Sequence, residues 1–144
     1  MGGFLGSYLY QVDEKGRVTL PAAFRKGRAE TAPFVLIQVH PDALTLYPAE
    51  TWTEVEARLR EHARRTPRSR HFLLGVTANA VELMPDKQGR ILIPERLREL
   101  AGIGAEAQLV GAIDKIEVWN PETFRRAVDG AAGDYGDLFA GIFA

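Results

Sequence analysis

Asp13-Glu14-Lys15-Gly16-Arg17-Val18-Thr19-Leu20-Pro21-Ala22-Ala23-Phe24-Arg25 returns 73 residues further on as Asp86-Lys87-Gln88-Gly89-Arg90-Ile91-Leu92-Ile93-Pro94-Glu95-Arg96-Leu97-Arg98. Asp, Gly, Arg, Pro and the final Arg are identical, and the Val/Ile, Leu/Ile and Phe/Leu exchanges keep apolar positions apolar. A second match follows at an offset of 72: Asp42 to Asp114, then Leu44-Thr45-Leu46-Tyr47 to Ile116-Glu117-Val118-Trp119, then Glu50-Thr51-Trp52 to Glu122-Thr123-Phe124. Two ordered matches at nearly equal offsets identify a tandem duplication.

Each copy predicts the order β-β-α-β-β. In the first, Ser7 to Val12 and Arg17 to Pro21 are extended runs around Asp13-Glu14-Lys15-Gly16, a turn because Gly tolerates positive φ and Asp bonds nearby backbone. Pro21 suits the first turn of a short helix, Ala22 to Lys26, which Gly27 stops. Phe34 to Val39 and Leu44 to Tyr47 are two further strands. The second copy predicts strands at Ala80 to Met84, Arg90 to Ile93, Gln108 to Ala112 and Ile116 to Trp119, with a helix from Pro94 to Ala101. A helix follows each copy. Glu50 to Arg65 spaces Trp52, Val55 and Leu59 along one stripe, and Pro121 to Val128 is capped by Asn120. The tail from Asp129 ends in Leu138-Phe139-Ala140-Gly141-Ile142-Phe143, a segment that is either frayed or docked on a neighbour.

The chain thus divides into a first repeat (7–50), a helix and linker (51–79), a second repeat (80–123) and a C-terminal helix and tail (124–144). A unit of about 45 residues is near the lower limit for burying its own core. The two copies are therefore expected to interlock around one core with approximate two-fold symmetry.

Length and composition fit this. The 144 residues, 46% apolar and 26% charged, suit a soluble globular chain rather than a disordered, collagen-like or coiled-coil one. No apolar run approaches the ~20 residues that cross a bilayer, and the first residues lack a leader pattern, so the chain is expected in the cytoplasm. Without cysteine there is no disulfide, thiol nucleophile or thiolate metal site. The net charge of -1 hides an asymmetry: residues 1–70 sum to +3 and residues 71–144 to -4. Charge neither requires nor excludes DNA.

The spacing Asp-x-x-Gly-Arg puts an acid before a turn and an arginine directly after it. Asp13 can accept from turn N–H groups and can pair with Arg17 or with its counterpart Arg90; Asp86 stands equivalently. Gly16 and Gly89 are turn glycines outside any phosphate-binding pattern. Alternation along a strand puts Arg17 and Thr19 on one face, Val18 and Leu20 on the other. An arginine on the exposed face of a two-stranded ribbon can reach phosphates or base edges, because such a ribbon fits the major groove. Lys15 at the turn tip would add a phosphate contact.

The paired Asp-x-x-Gly-Arg motif with its apolar strand and Pro, together with the Phe4-Leu5-Gly6 opening, the duplication and the length, resembles the MraZ family of AbrB-like swapped-hairpin transcription factors. The resemblance covers essentially the whole chain. It implies an α+β fold in which the tandem ββαββ repeats form a pseudo-two-fold swapped-hairpin β-barrel with flanking helices. It further implies a bacterial regulator, a repressor of the division and cell-wall gene cluster. Such a regulator acts at the nucleoid as a homo-oligomeric ring on repeated boxes of double-stranded promoter DNA. Carried over position by position, the DNA-facing residues are Lys15 and Arg17 in the first copy, Lys87 and Arg90 in the second. Gln88 stands where the first copy has Lys15, so the second copy is expected to be less basic at its tip.

Other signals are weaker. Arg58 to Arg70 holds six arginines against one Glu, with His62 and His71 in or beside it. A solvated helix face and linker competes there with a phosphate-contacting patch. His40-Pro41-Asp42 fits a turn better than a metal site. Trp52 and Phe124, matched between copies, fit core or subunit contacts better than base stacking. No nucleophile sits beside a base, no metal or cofactor motif is present, and no small-molecule substrate is implied. The rival to DNA binding is a ring-forming protein-interaction scaffold, which gains if Arg17 and Arg90 are both buried against the aspartates.

Overall fold

The structure is a computed structural model of the chain, described over residues 3–29, 31–131 and 135–143. Parts of the expected tail, 132–134 and 144, lie outside the described residues. The elements run β1 (Ser7–Gln11), β2 (Arg17–Thr19), α1 (Ala22–Arg25), β3 (Phe34–His40), β4 (Ala43–Pro48), α2 (Ala49–Ala63), α3 (Pro67–Thr77), β5 (Val81–Leu83), β6 (Arg90–Leu92), α4 (Glu95–Leu100), β7 (Glu106–Gly111), β8 (Ile116–Trp119), α5 (Pro121–Ala131) and α6 (Gly136–Phe143). Both copies show the expected β-β-α-β-β order. Two helices were not expected. The linker carries α3, whose first turn is set by Pro67 and by Thr66 Oγ1 accepting from Ser69 N–H at 3.0 Å. The tail carries α6.

The strands exchange partners between copies. A six-stranded antiparallel sheet has the order β1-β7-β8-β4-β3-β5, and β2 pairs with β6 in a separate two-stranded ribbon. The arms on either side of the first turn pair with the second copy, β1 with β7 and β2 with β6. In return β5 pairs with β3 of the first copy. Exchanging each strand for its counterpart leaves both orders unchanged. The two-fold axis can be placed from the register: Val18 opposes its own counterpart Ile91, and Thr45 opposes its own counterpart Glu117.

The closed barrel expected from the sequence is not formed by the hydrogen bonds. β1 and β5 are the two edges of an open sheet, and β2 and β6 bond only each other as strands. The reason lies at the turns, which break each long arm. After Gly16 and Gly89 the chain leaves the sheet and crosses to the ribbon, held by Ile93 N–H donating to Gly16 O at 2.9 Å and Leu20 N–H to Gly89 O at 2.8 Å.

One core serves both copies. Val18, Leu20, Phe24, Leu36, Leu44 and Leu46 of the first pack with Ile91, Ile93, Leu97, Leu109, Ile116 and Val118 of the second, all at most 1% exposed. β4, buried along its whole length, is covered on its outer side by α2. The helices that follow each copy are anchored alike: Trp52 packs on Tyr47 and Phe124 on Trp119, with ring centroids 5.9 and 5.6 Å apart. Asn120 Oδ1 caps α5, accepting from Glu122 and Thr123 N–H at 2.9 and 3.1 Å.

Candidate nucleic-acid interface

The ribbon is three residues long in each strand, and its pleat sorts the side chains. Val18 and Ile91 point into the core. Arg17, Thr19, Arg90 and Leu92 therefore share the outer face, Arg17 opposite Leu92 and Thr19 opposite Arg90. The two arginines are diagonal neighbours across the ribbon, a relation that places such residues roughly 7–8 Å apart, within reach of long side chains. They are also two-fold mates, so one surface carries two guanidinium groups in equivalent settings.

Each arginine is held by the acid of its own turn, not by that of the other copy. Asp13 Oδ1 accepts from the N–H groups of Arg17 (2.8 Å) and Lys15 (3.0 Å), and Oδ2 accepts from Arg17 Nε at 2.7 Å. Asp86 repeats this with Arg90 N–H (2.9 Å), Gln88 N–H (2.9 Å) and Arg90 Nε (3.0 Å). The contacts use Nε, and the side chains of Arg17 and Arg90 stay 32% and 29% exposed. The pair fixes the guanidinium without burying it.

These bonds also set the acidity of the aspartates. Donation from the Arg17 backbone N–H, ahead of its side chain, holds the Asp13 carboxyl below the usual range. The Arg90 N–H does the same for Asp86. The folded protein thus binds fewer protons than the unfolded chain through the carboxylate range. The two turns contribute stability above that range and lose it as pH falls through the lowered folded values. Thermal melts from pH 6 downward are expected to show a shallower acid decline for Asp13→Asn/Asp86→Asn than for the wild type. Equal slopes would mean that the turns carry no such linkage.

Lys15 and Lys87 are both exposed at the turn tips, and so are their neighbours Glu14 and Gln88. Over the two tip residues the first turn sums to zero and the second to +1, so the second tip is not the less basic one that Gln88 led to expect: Lys87 replaces an acid, Glu14, in the neighbouring position. The tips are closely backed. Gly16 has φ +90°, and a Cβ there would lie 2.8 Å from Ile93 O and 2.9 Å from the guanidinium nitrogens of Arg98. At Gly89 the same place is filled by Arg25, with Cζ 2.9 Å away. Arg25 and Arg98 donate through Nε to Leu20 O (3.1 Å) and Ile93 O (3.0 Å). Each copy thus lays its final arginine across the turn of the other. Sequence reasoning assigned these two no role, although their identity in both copies was the available signal.

The other sequence candidates lie away from the ribbon. The arginines from 58 to 70 are spread over α2, the following turn and α3; Arg60 pairs with Glu56 at 3.3 Å and Arg64 with Glu61 at 3.6 Å. His40 Nδ1 accepts from Asp42 N–H at 3.1 Å, closing a turn, and its ring lies 5.5 Å from that of Trp119. Among the described residues no three His, Asp or Glu side chains come together as a metal site, and no helix is long and apolar enough to cross a membrane.

Comparison with known proteins covers the same two units. The MraZ protein family model matches residues 4–75 and again 76–133. The transcriptional regulator MraZ of Acetivibrio thermocellus is 40% identical over 117 residues, 81% of this chain and 80% of that protein. That of Herpetosiphon aurantiacus is 39% identical over 131 residues, 91% of this chain and 90% of its own length. That of Cutibacterium acnes is 32% identical over 141 residues, 98% of both. These relatives carry the name of a regulator, not of an enzyme. Among solved structures, the solution structure of PHS018 from Pyrococcus horikoshii matches 81% of this chain and 88% of its own at 17% identity and a TM-score of 0.34, too low to support any inference. A family model met once by each repeat, and relatives aligned over four-fifths or more of their length, leave one assignment: the chain belongs to the MraZ family.

Proposed function

We propose that this protein is a sequence-specific DNA-binding transcriptional regulator of the swapped-hairpin, AbrB-like kind. In this reading it represses the bacterial division and cell-wall gene cluster from tandem promoter boxes, which it binds as a ring of identical subunits at the nucleoid. The observation that carries the reading is the outer face of the ribbon. Arg17 and Arg90 lie there as two-fold mates, positioned by Asp13 and Asp86 yet left partly open to solvent. A scaffold with no nucleic-acid partner would gain from arginines buried against the acids, and these are not buried. In the groove, a fixed guanidinium can bond a guanine edge with two N–H groups, while Lys15 and Lys87 hold phosphates on either side.

Each chain offers about two to four cations to DNA, too few for tight binding at physiological salt. Linked subunits on successive boxes convert weak contacts into avidity without new chemistry. The box spacing that serves them best is about one helical turn (~10 bp), since repeated modules must meet the same groove face. In gel-shift titrations on DNA carrying one to four boxes, the apparent Kd is expected to fall at least about tenfold from one box to two. It should rise again when the spacing is offset by ~5 bp, half a turn. Equal affinity for one box and for four would remove the ring from the reading.

A further inference from the structure

The two-fold symmetry of the ribbon breaks down beside its second tip. Between the segment that follows α1 and the turn that follows β5 lies a hollow of about 640 Å³, a size that suits a small organic ligand. Arg25, Arg28 and Lys87 line it, and Asp86 is the one acid on its wall among the described residues. Asp86 is already answered, since its oxygens accept from Gln88 N–H, Arg90 N–H and Arg90 Nε. Ala29, Ala32, Met84 and Pro85 supply an apolar wall. At the offset of 73, Arg28 corresponds to Ala101, Lys87 to Glu14, and Phe34, which also lines the hollow, to Ala107. The equivalent place beside the first tip thus keeps only Arg98 of the three cations. That copy folds without a cation at the other two positions, so the fold does not demand Arg28 or Lys87.

Two of the cations are held in place. The Arg28 side chain is 12% exposed, with its Cζ 4.4 Å from the centroid of the Phe34 ring. It reaches Glu50 Oε1 at 2.8 Å and Pro33 O at 3.3 Å, while its Nε is buried without an acceptor among the described residues. Arg25 is tied through Nε to Leu20 O, which leaves its terminal amino groups without an acid partner among the described residues. Two fixed guanidinium forks and a lysine on a flexible stem suit a polyanion, because forks bond phosphate oxygens in pairs and the ammonium adds a point charge. A single carboxylate would leave part of that charge unanswered. We propose that the hollow binds a small organic polyphosphate of the nucleoside-diphosphate class, and that its occupant opposes DNA binding. The phosphates lie toward Arg25, Arg28 and Lys87, and the ring lies on Met84 and Pro85. Lys87 then no longer serves a DNA phosphate, and negative charge added beside the ribbon repels the duplex. By linkage, DNA weakens the nucleotide by the same factor. The effect on DNA rests on the proposed function, whereas the site itself does not.

The probes are ADP, GDP, CDP and UDP, titrated calorimetrically into the full-length protein at physiological salt. Pyrophosphate and adenosine serve as the separated parts. At least one diphosphate is expected to bind at a single site per chain, pyrophosphate more weakly and adenosine not at all. Arg28→Gln should weaken that nucleotide at least about tenfold, the worth of one hydrogen bond to a charged group. Ala29→Glu sets an acid in the hollow from an exposed position, and it should give the same loss even if Arg28→Gln lowers the Tm. Saturating nucleotide should raise the apparent Kd for tandem-box DNA at least about fivefold, and DNA should raise the Kd of the nucleotide equally. Without nucleotide, both variants should bind DNA within about threefold of the wild type, their one altered charge being screened. Failure of all four diphosphates to bind at millimolar concentration, binding unmoved by Ala29→Glu, or nucleotide and DNA that ignore each other would overturn the proposal. So would variants that lose DNA as steeply as nucleotide, which would make the hollow a seat for the DNA backbone. The two readings fail differently. A wild type silent on DNA that still binds nucleotide here sinks the proposed function and not the site, whereas one that binds the boxes and no nucleotide sinks only the site.

Discussion

Arg17→Ala combined with Arg90→Ala is expected to abolish specific retention of tandem-box DNA while leaving the fold in place. Each guanidinium–guanine contact is worth about 1–3 kcal/mol of discrimination. Loss of both therefore weakens specific binding by at least about 30-fold per engaged chain, at 1.4 kcal/mol per factor of ten. Linkage between subunits multiplies that factor. The deletion also strips Asp13 and Asp86 of their ion-pair partners, leaving two carboxylates facing the phosphates. The salt dependence of binding should become shallower by less than the roughly one unit of slope that a phosphate-contacting lysine contributes, since these arginines read base edges. Arg17→Lys keeps the charge without the planar fork, so it should spare most of the salt slope and lose most of the sequence preference. Fluorescence anisotropy at several salt concentrations separates these outcomes. Unchanged binding by the double variant would end the assignment of the ribbon as the DNA surface.

Phe24→Ala is expected to cost about 3–5 kcal/mol of stability, the range for truncating a buried phenylalanine. Phe24 is 1% exposed and meets Phe4 and Tyr8 edge-to-face, with centroids 5.7 and 5.3 Å apart. It is the one buried residue of α1, a four-residue helix with no independent stability, so its loss also frees the chain that follows the ribbon. Leu97 holds the same place in the second copy, and Leu97→Ala should cost about 2–5 kcal/mol. Urea titration measures both. A loss below about 1 kcal/mol for Phe24→Ala would mean that the site refills from its surroundings.

The duplication made the repeated element order and the shared core legible, because matched apolar positions at one offset must face one interior. The strand partners were less so. Period-two alternation says which face of β1 is buried, but not whether its neighbour is β2 or β7. The same limit applied to the acids: spacing allowed Asp13 to reach either Arg17 or Arg90, and only the turn geometry selected Arg17. Barrel closure was not legible either, since it depends on how far Gly16 and Gly89 redirect the chain. α3 has a sequence signal at its start. Thr66-Pro67 has the form of Asn120-Pro121, the cap and first turn of α5, but the arginines around it break the apolar stripe that marks a helix. α6 was readable as an apolar run and no more, because Gly136 and Gly141 lower its intrinsic helix preference.

The crossed pairing of β1 with β7 has a consequence for synthesis. Ser7 waits for Val110, and Gln11 for Glu106, so the first strand to leave the ribosome is among the last to find its mate. Until the second half has emerged, the first half exposes unpaired edges and an unfilled interior, the condition under which nascent chains attract chaperones or one another. Polysomes place several such halves close together. A neighbour's β5–β6 arm could then occupy the place meant for the chain's own, giving an intermolecular exchange of the kind duplicated folds invite. Joining the copies in one polypeptide by a helical spacer keeps the correct arm at high local concentration.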